Sequence, residues 1–306
     1  MALGLGTSPL ALAEGADLAA VKTVVESVAV LADSGEFDAL EKLYADEFML
    51  DYSSLNGAPA ELKSPRGLMM EWAAVLPGFD RTRHELSNTT AEITKDTATA
   101  RADVTAGHWI DGAYWEVSGD YDYSLEKDVD GEWHITSMTF NLRSEEGSRD
   151  VFGPAMAAAA ANPPAIVIRE KAQQAVRDFL EGLETFDMER VNGVWAGDAV
   201  QDMPYAPDNF PSRVVGRQGI IGLYAAWPDS VTDPVFTDDL VFYPTRDPEV
   251  VFAEWTGRVD VIATGRRYEQ RYGGLFHVEN GQITLYREYF DPRPFSYAFG
   301  LNENAQ

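Results

Sequence analysis

The chain has 306 residues, with 24 Lys plus Arg against 50 Asp plus Glu and a formal charge of −26. That acidity repels phosphate backbones, no stretch is dense in basic residues, and nucleic acid is therefore excluded as a partner. Zero cysteines exclude disulfides, zinc-thiolate centres, iron–sulfur clusters and thiol nucleophiles, and only His84, His108, His134 and His277 remain for proton transfer near neutrality.

In chain order, residues 1–17 read as an N-terminal arm without the positive flank of a secretory signal. No apolar run reaches the ~20 residues of a membrane span, so the expectation is a cytoplasmic protein with no membrane partner. A first helix follows, with Leu18, Val21, Val25, Val28 and Ala32 at helical spacing. A short second helix holds Phe37 and Leu40, FMLDY is a strand, and a third helix opens with Ser64 as cap and Pro65 in its first turn. Long alternating runs broken at Asp-Gly and Asn-Gly predict an antiparallel meander. One of them places Ala98, Ala100, Ala102, Val104, Ala106 and His108 on a single face, where small residues leave space beside an imidazole.

The Ala/Pro-rich stretch 151–164 reads as a linker between two halves, 18–150 and 165–306, and the halves repeat. Phe37-Asp38 and Phe186-Asp187 lie 149 residues apart, Asp51 and Asp202 lie 151 apart, and the Asp130-Gly131 and Asn280-Gly281 turns lie 150 apart. Ala172, Val176, Phe179 and Leu183 repeat the first helix. Three helices followed by a curved sheet, twice over, predict an α+β fold of two tandem cones.

This order, with the motifs ADSGEFDAL, MLDYSSLNG, LPGFDRTRH, AGHWIDG and DGEWHITSMTF, resembles the scytalone dehydratase-like branch of the SnoaL-like proteins, within the nuclear transport factor 2-like superfamily. The second half, through MPYAP, GRQGIIGLY, FAEWTG and YREYFDP, is more similar to SnoaL-like polyketide cyclases and phenazine-biosynthesis A/B proteins. For the first half the resemblance implies cofactor-free, metal-free catalysis. His84 and His108 would form an acid/base pair, Tyr52 would polarise a substrate carbonyl, and Asp33 or Asp120 would orient a histidine. The family has a second phenol where this chain has Ala32, and a serine and an asparagine where it has Asp120 and Asp122. Trp109 and Asp122 join the expected substrate-binding set. In the second half that set is Asp202, Tyr205, Glu254, Gln270 and Glu288, with Glu288 at the position of the family's acid/base glutamate and Glu254 a second buried carboxylate. His277 is out of phase and reads as surface.

The resulting expectation is a dehydratase-like lyase acting on a small hydrophobic or aromatic hydroxylated substrate. Isomerase or cyclase chemistry and a non-catalytic small-ligand binding protein are the alternatives. The first half is expected to be the active one, because it has two histidines on pocket positions where the second offers only carboxylates, and because Trp195, Trp227, Tyr272 and Phe276 would shrink the second cavity. Val117, Tyr121, Tyr123 and Leu125 are expected on an outer sheet face, buried in an intramolecular pseudo-dimer, with a further homo-oligomer left open.

Overall fold

The computed structural model describes residues 9–208 and 210–301. Two compact units divide the chain, unit 1 ending at Ile166 and unit 2 beginning at Val167.

Unit 1 opens with α1 (Pro9–Ser34), so the expected arm is helical from Pro9; residues 1–8 lie outside the described residues. Val21, Val25, Val28 and Ala32 are buried along one stripe of α1, while Glu26 and Val30 face solvent. After α2 (Phe37–Glu41) come β1 (Tyr44–Asp51), α3 (Ser53–Asn56), β2 (Glu61–Lys63) and α4 (Pro65–Ala73). Ser64 caps α4, its Oγ accepting from the Gly67 amide at 3.1 Å, and Pro65 occupies the first turn. Four long strands complete the sheet: β3 (Arg81–Thr94), β4 (Thr97–Ile110), β5 (Ala113–Lys127) and β6 (Trp133–Gly147). Their order is β2-β1-β6-β5-β4-β3, antiparallel except for the parallel β1–β6 pair. Asp111 (φ +50°) and Gly112 (φ +78°) make the two-residue turn between β4 and β5, the conformation that Asp-Gly favours.

The stretch expected to be a linker is instead a packed helix. α5 (Phe152–Ala161) buries Ala155 and Ala159 and lies on the turn at Leu76–Gly78. A Cβ on Gly78 would come within 1.8 Å of the Ala155 carbonyl oxygen, so only glycine permits this approach. Alanine and a single internal proline near its start suit a helix as well as a linker, which is why composition misread it.

Unit 2 repeats the plan. α6 (Ala165–Thr185), α7 (Met188–Gly193), β7 (Trp195–Asp202), β8 (Arg213–Val215), α8 (Arg217–Tyr224) and α9 (Trp227–Ser230) precede five strands. These are β9 (Val231–Val235), β10 (Val241–Pro244), β11 (Val250–Val261), β12 (Arg266–Glu279) and β13 (Gln282–Tyr289), followed by α10 (Pro292–Ala298). The sheet order β8-β7-β13-β12-β11-β10 matches unit 1, with β13–β7 parallel and with the short β9 and β10 both pairing β11 where unit 1 has one long β3. α10 follows the last strand as α5 does in unit 1, so the misread segment belongs to the repeat. Among the described residues no single helix is long and apolar enough to cross a membrane.

Candidate functional site

Each unit encloses a cavity between its helices and the concave face of its sheet. In unit 1 the space is about 210 Å³, with walls that include Val28, Ala32, Leu86, Val104, Ala106 and Phe140. Two histidines enter it from neighbouring strands. His84 on β3 is set opposite Ala106, and His108 on β4 opposite Thr82, so alternation turns both rings inward. Their ring centroids lie 5.3 Å apart at 90°. Phe152 of α5 also lines the cavity and packs 6.2 Å from the His108 ring.

Asp33, at the end of α1, holds His84 at two points. One carboxylate oxygen meets the imidazole Nδ1 at 2.6 Å, and the other accepts from the His84 backbone amide at 2.7 Å. Thr82 Oγ1 donates to the same carboxylate at 2.8 Å. Burial pushes the Asp33 carboxyl up, but the hydrogen bond and charge of His84 outweigh it, and the net shift is downward. Asp33 is therefore an anion at neutral pH and fixes a proton on His84 Nδ1, leaving Nε2 as the basic nitrogen. His108 is only 4% exposed and its Nδ1 has no hydrogen-bond partner. Burial, with the neighbouring His84, drives its pKa down to about 3, so His108 is a neutral imidazole across the physiological range.

Tyr52, just beyond β1, lines the same cavity, together with Tyr121 on β5. Burial raises both phenols, Tyr121 to about 12, so both stay protonated donors. A phenol O–H that lines the cavity can donate to a ligand oxygen.

Several expected residues point away. Asp120 is buried, but on the opposite face of β5, where it joins Arg101 at 2.6 Å and Arg143 at 2.8 Å. Asp122 is on that face too, bonded to Arg101 and to Asn141 Nδ2. Trp109 is also outward, under the Arg81 guanidinium at 3.9 Å from its ring centre. Conversely, Val117, Tyr121 and Tyr123 line the cavity, and Leu125 is fully buried, rather than forming an outer face. A curved sheet fills its concave side with large residues, and these cannot be told by composition from an oligomer face.

In unit 2 the cavity is about 280 Å³, larger rather than smaller than that of unit 1. Trp227 and Tyr272 line it without filling it, and Trp195 and Phe276 belong to the surrounding core. Glu288 on β13 reaches the cavity. The arginines nearest to it in sequence or on the adjoining strand are engaged elsewhere: Arg287 with Asp202, Arg271 with Glu254, and Arg293 with Asp291. Burial lifts the Glu288 carboxyl to about 7 against the hydrogen bonds from Gln201 and Tyr286. Gln201 Nε2 donates to Glu288 at 3.2 Å and to the Tyr224 hydroxyl at 2.7 Å. Across the cavity wall the Tyr268 and Tyr272 hydroxyls meet at 2.6 Å.

The remaining expected residues of this half lie outside the cavity. Asp202 is tied to Arg287 at 2.8 Å, Tyr205 is 57% exposed, and Glu254 faces the outer side with Tyr243 and Arg271. Gln270 is buried and donates to the Arg271 carbonyl at 2.6 Å. The residues missed were Gln201, Tyr224, Tyr268 and Tyr286. Gln201 shares its face of β7 with the buried Ala199, and the buried Met203 just beyond the strand keeps that phase, visible in AVQDM, which places Asp202 outside.

A SnoaL-like domain profile matches residues 13–139, and a second SnoaL-like profile matches residues 176–286. The uncharacterized protein YesE of Bacillus subtilis is 33% identical over 131 residues, 43% of this chain and 88% of that protein. The PhzA/B-like protein PA3332 of Pseudomonas aeruginosa is 29% identical over 134 residues, 44% of this chain and 94% of that protein. Among solved structures, a Bacillus subtilis isomerase candidate aligns at 31% identity and a TM-score of 0.41, covering 44% of this chain and 95% of that one. With profiles of one fold on both halves, and the same sheet order in each, the chain belongs to the SnoaL-like family as a tandem of two such domains.

Proposed function

We propose that unit 1 is a cofactor-independent acid–base lyase that eliminates water from a small aromatic or alicyclic hydroxylated ketone. The observation that carries this reading is the convergence of the Asp33–His84 pair and His108 on one apolar cavity. His84 Nε2 takes a proton from the carbon next to the carbonyl, while the Tyr52 and Tyr121 hydroxyls donate to the oxygen that becomes the enolate. The enolate expels the hydroxyl group as the C–O bond breaks, and the His84 imidazolium returns its proton to that group, which leaves as water. His108, neutral in this cavity, is no imidazolium acid, in contrast to the acid/base pair expected from the family. It serves as a hydrogen-bonding group that holds the leaving hydroxyl.

A single proton shuttle also favours a second reading. If His84 returns the proton to another carbon the product is an isomer, and if the enolate attacks an internal carbonyl the product is a ring. Incubation with 3-hydroxy-1-tetralone separates these outcomes, because elimination of water yields 1-naphthol, readily detected by fluorescence and by the mass of water lost. Elimination that vanishes in Asp33→Asn and His84→Ala supports the lyase. Saturable binding of such ketones without turnover would leave unit 1 a binding protein.

A further inference from the structure

We infer that the unit 2 cavity is a second, independent site, built for an apolar ligand that carries a protonated amine. This inference does not rest on the reaction assigned to unit 1. Twelve of the residues lining the cavity are aromatic, and Glu288 is the one lining residue with an ionisable acid group other than the tyrosines. No Lys, Arg or His is among the described lining residues, so the carboxylate form of Glu288 lacks a counter-charge within the cavity. Tyr224 on α8, Tyr268 and Tyr272 on β12, and Tyr286 on β13 are the titratable groups coupled to it, and burial keeps all four protonated. Asp291, which bears on Tyr268, is ion-paired with Arg293 and adds no net charge at the site.

A second observation specifies a donor. Gln201 is 1% exposed, and its Nε2 is committed to Glu288 and Tyr224, which leaves Oε1 buried without a partner. A buried acceptor left unmade costs free energy that a ligand N–H can recover. An ammonium group would give one N–H to Glu288 and one to Gln201, and the aromatic walls would stabilise its charge, with Trp255 stacked on Tyr272 at 5.3 Å. The Trp255 indole N–H also lacks a partner and suits one oxygen elsewhere on the ligand body. A neutral carbonyl ligand makes the opposite demand, because it would need Glu288 protonated and would leave the Gln201 oxygen unserved.

The two ligand classes give opposite pH dependence. An amine binds the ionised form of Glu288, whose fraction rises about tenfold from pH 6 to pH 8 for a group titrating near 7, so its affinity should rise by the same factor. The test titrates the full-length chain with 1-naphthylmethylamine and, as the uncharged partner of similar shape, 1-naphthylmethanol, following tryptophan fluorescence and heat. Expected results are amine affinity rising about tenfold over that range, alcohol affinity flat or falling, and amine affinity reduced at least about tenfold in Glu288→Gln at pH 8. Alcohol bound as tightly as amine at pH 8, or amine affinity falling with pH, overturns the inference. So does unchanged amine affinity in Glu288→Gln. The pH arms use the unaltered protein and stand even if that variant fails to fold.

Discussion

Unit 1 lines its cavity with two imidazoles, and unit 2 lines a similar space, on the same strand order, with one carboxyl. Burial acts on both in the same way, by penalising the charged form, but the consequence differs with the group. His108 becomes a neutral base that resists protonation down to about pH 3, whereas Glu288 becomes an acid that keeps its proton up to about pH 7. One scaffold thus yields two sites of opposite proton affinity, and the lesson is that the cone fixes only where a side chain points.

The sharpest way to break the comparison is a pair of variants assayed for turnover. His84→Ala should lower elimination by ~10²–10⁴, the usual worth of an acid/base group. Glu288→Gln should leave that rate within about twofold, as expected for sites without shared partners. The reverse pattern, with melting temperatures unchanged, would put the reaction in unit 2.

The next effects are on stability, and they run in opposite directions with pH. The folded pKa of Glu288 is raised from 4.5 to about 7, so the stability of the protonated form is fully present below pH 4.5 and is lost as pH rises through 7. Glu288→Gln should therefore stabilise the protein at pH 8 by up to about 3 kcal/mol relative to its effect at pH 4, as read from denaturant midpoints. His108 is depressed from 6.5 to about 3, so the unfolded chain binds the proton first and stability falls as pH drops below 6.5. His108→Gln should spare roughly 2 kcal/mol of that acid loss at pH 5. Parallel pH profiles for the two variants would mean that burial does not govern both groups.

A smaller contrast concerns the helices that precede the meanders. α4 has the Ser64 side-chain cap, while α8 begins at Gly216 with no side-chain cap. Ser64→Ala should cost about 1 kcal/mol, measured by thermal or urea unfolding, and the loss should fall on unit 1.

Much of this molecule could be read from its residues. Periodicity located the opening helices, Ser64-Pro65 marked a cap, and the Asp-Gly and Asn-Gly pairs marked tight turns. The His108 face followed from alternation with alanines, and family resemblance offered Asp33 or Asp120 as the carboxylate that orients a histidine; the fold pairs Asp33 with His84. The errors were of phase. On β5 both faces are plausible linings: one carries Asp120 and Asp122, the other Tyr121 and Tyr123. Only the curvature of the sheet, a property of all its strands together, decides which is concave. On β7 a single residue separated Asp202 from Gln201, and a one-residue shift exchanges the two faces. Asp120 shows a further ambiguity: a buried carboxylate in a web of arginines has the composition of an active site and the position of a structural tie.

The duplicated plan also bears on how such a protein diversifies. When two identical chains associate, any codon change alters both copies of a pocket at once, and a substitution useful in one and harmful in the other has no outlet. Joining the copies in a single reading frame removes that constraint. Position 108 can hold an imidazole while position 288 holds a carboxyl, and each can drift without the other. The tandem is in that sense a device for specialisation, with one fold inherited twice and selected separately.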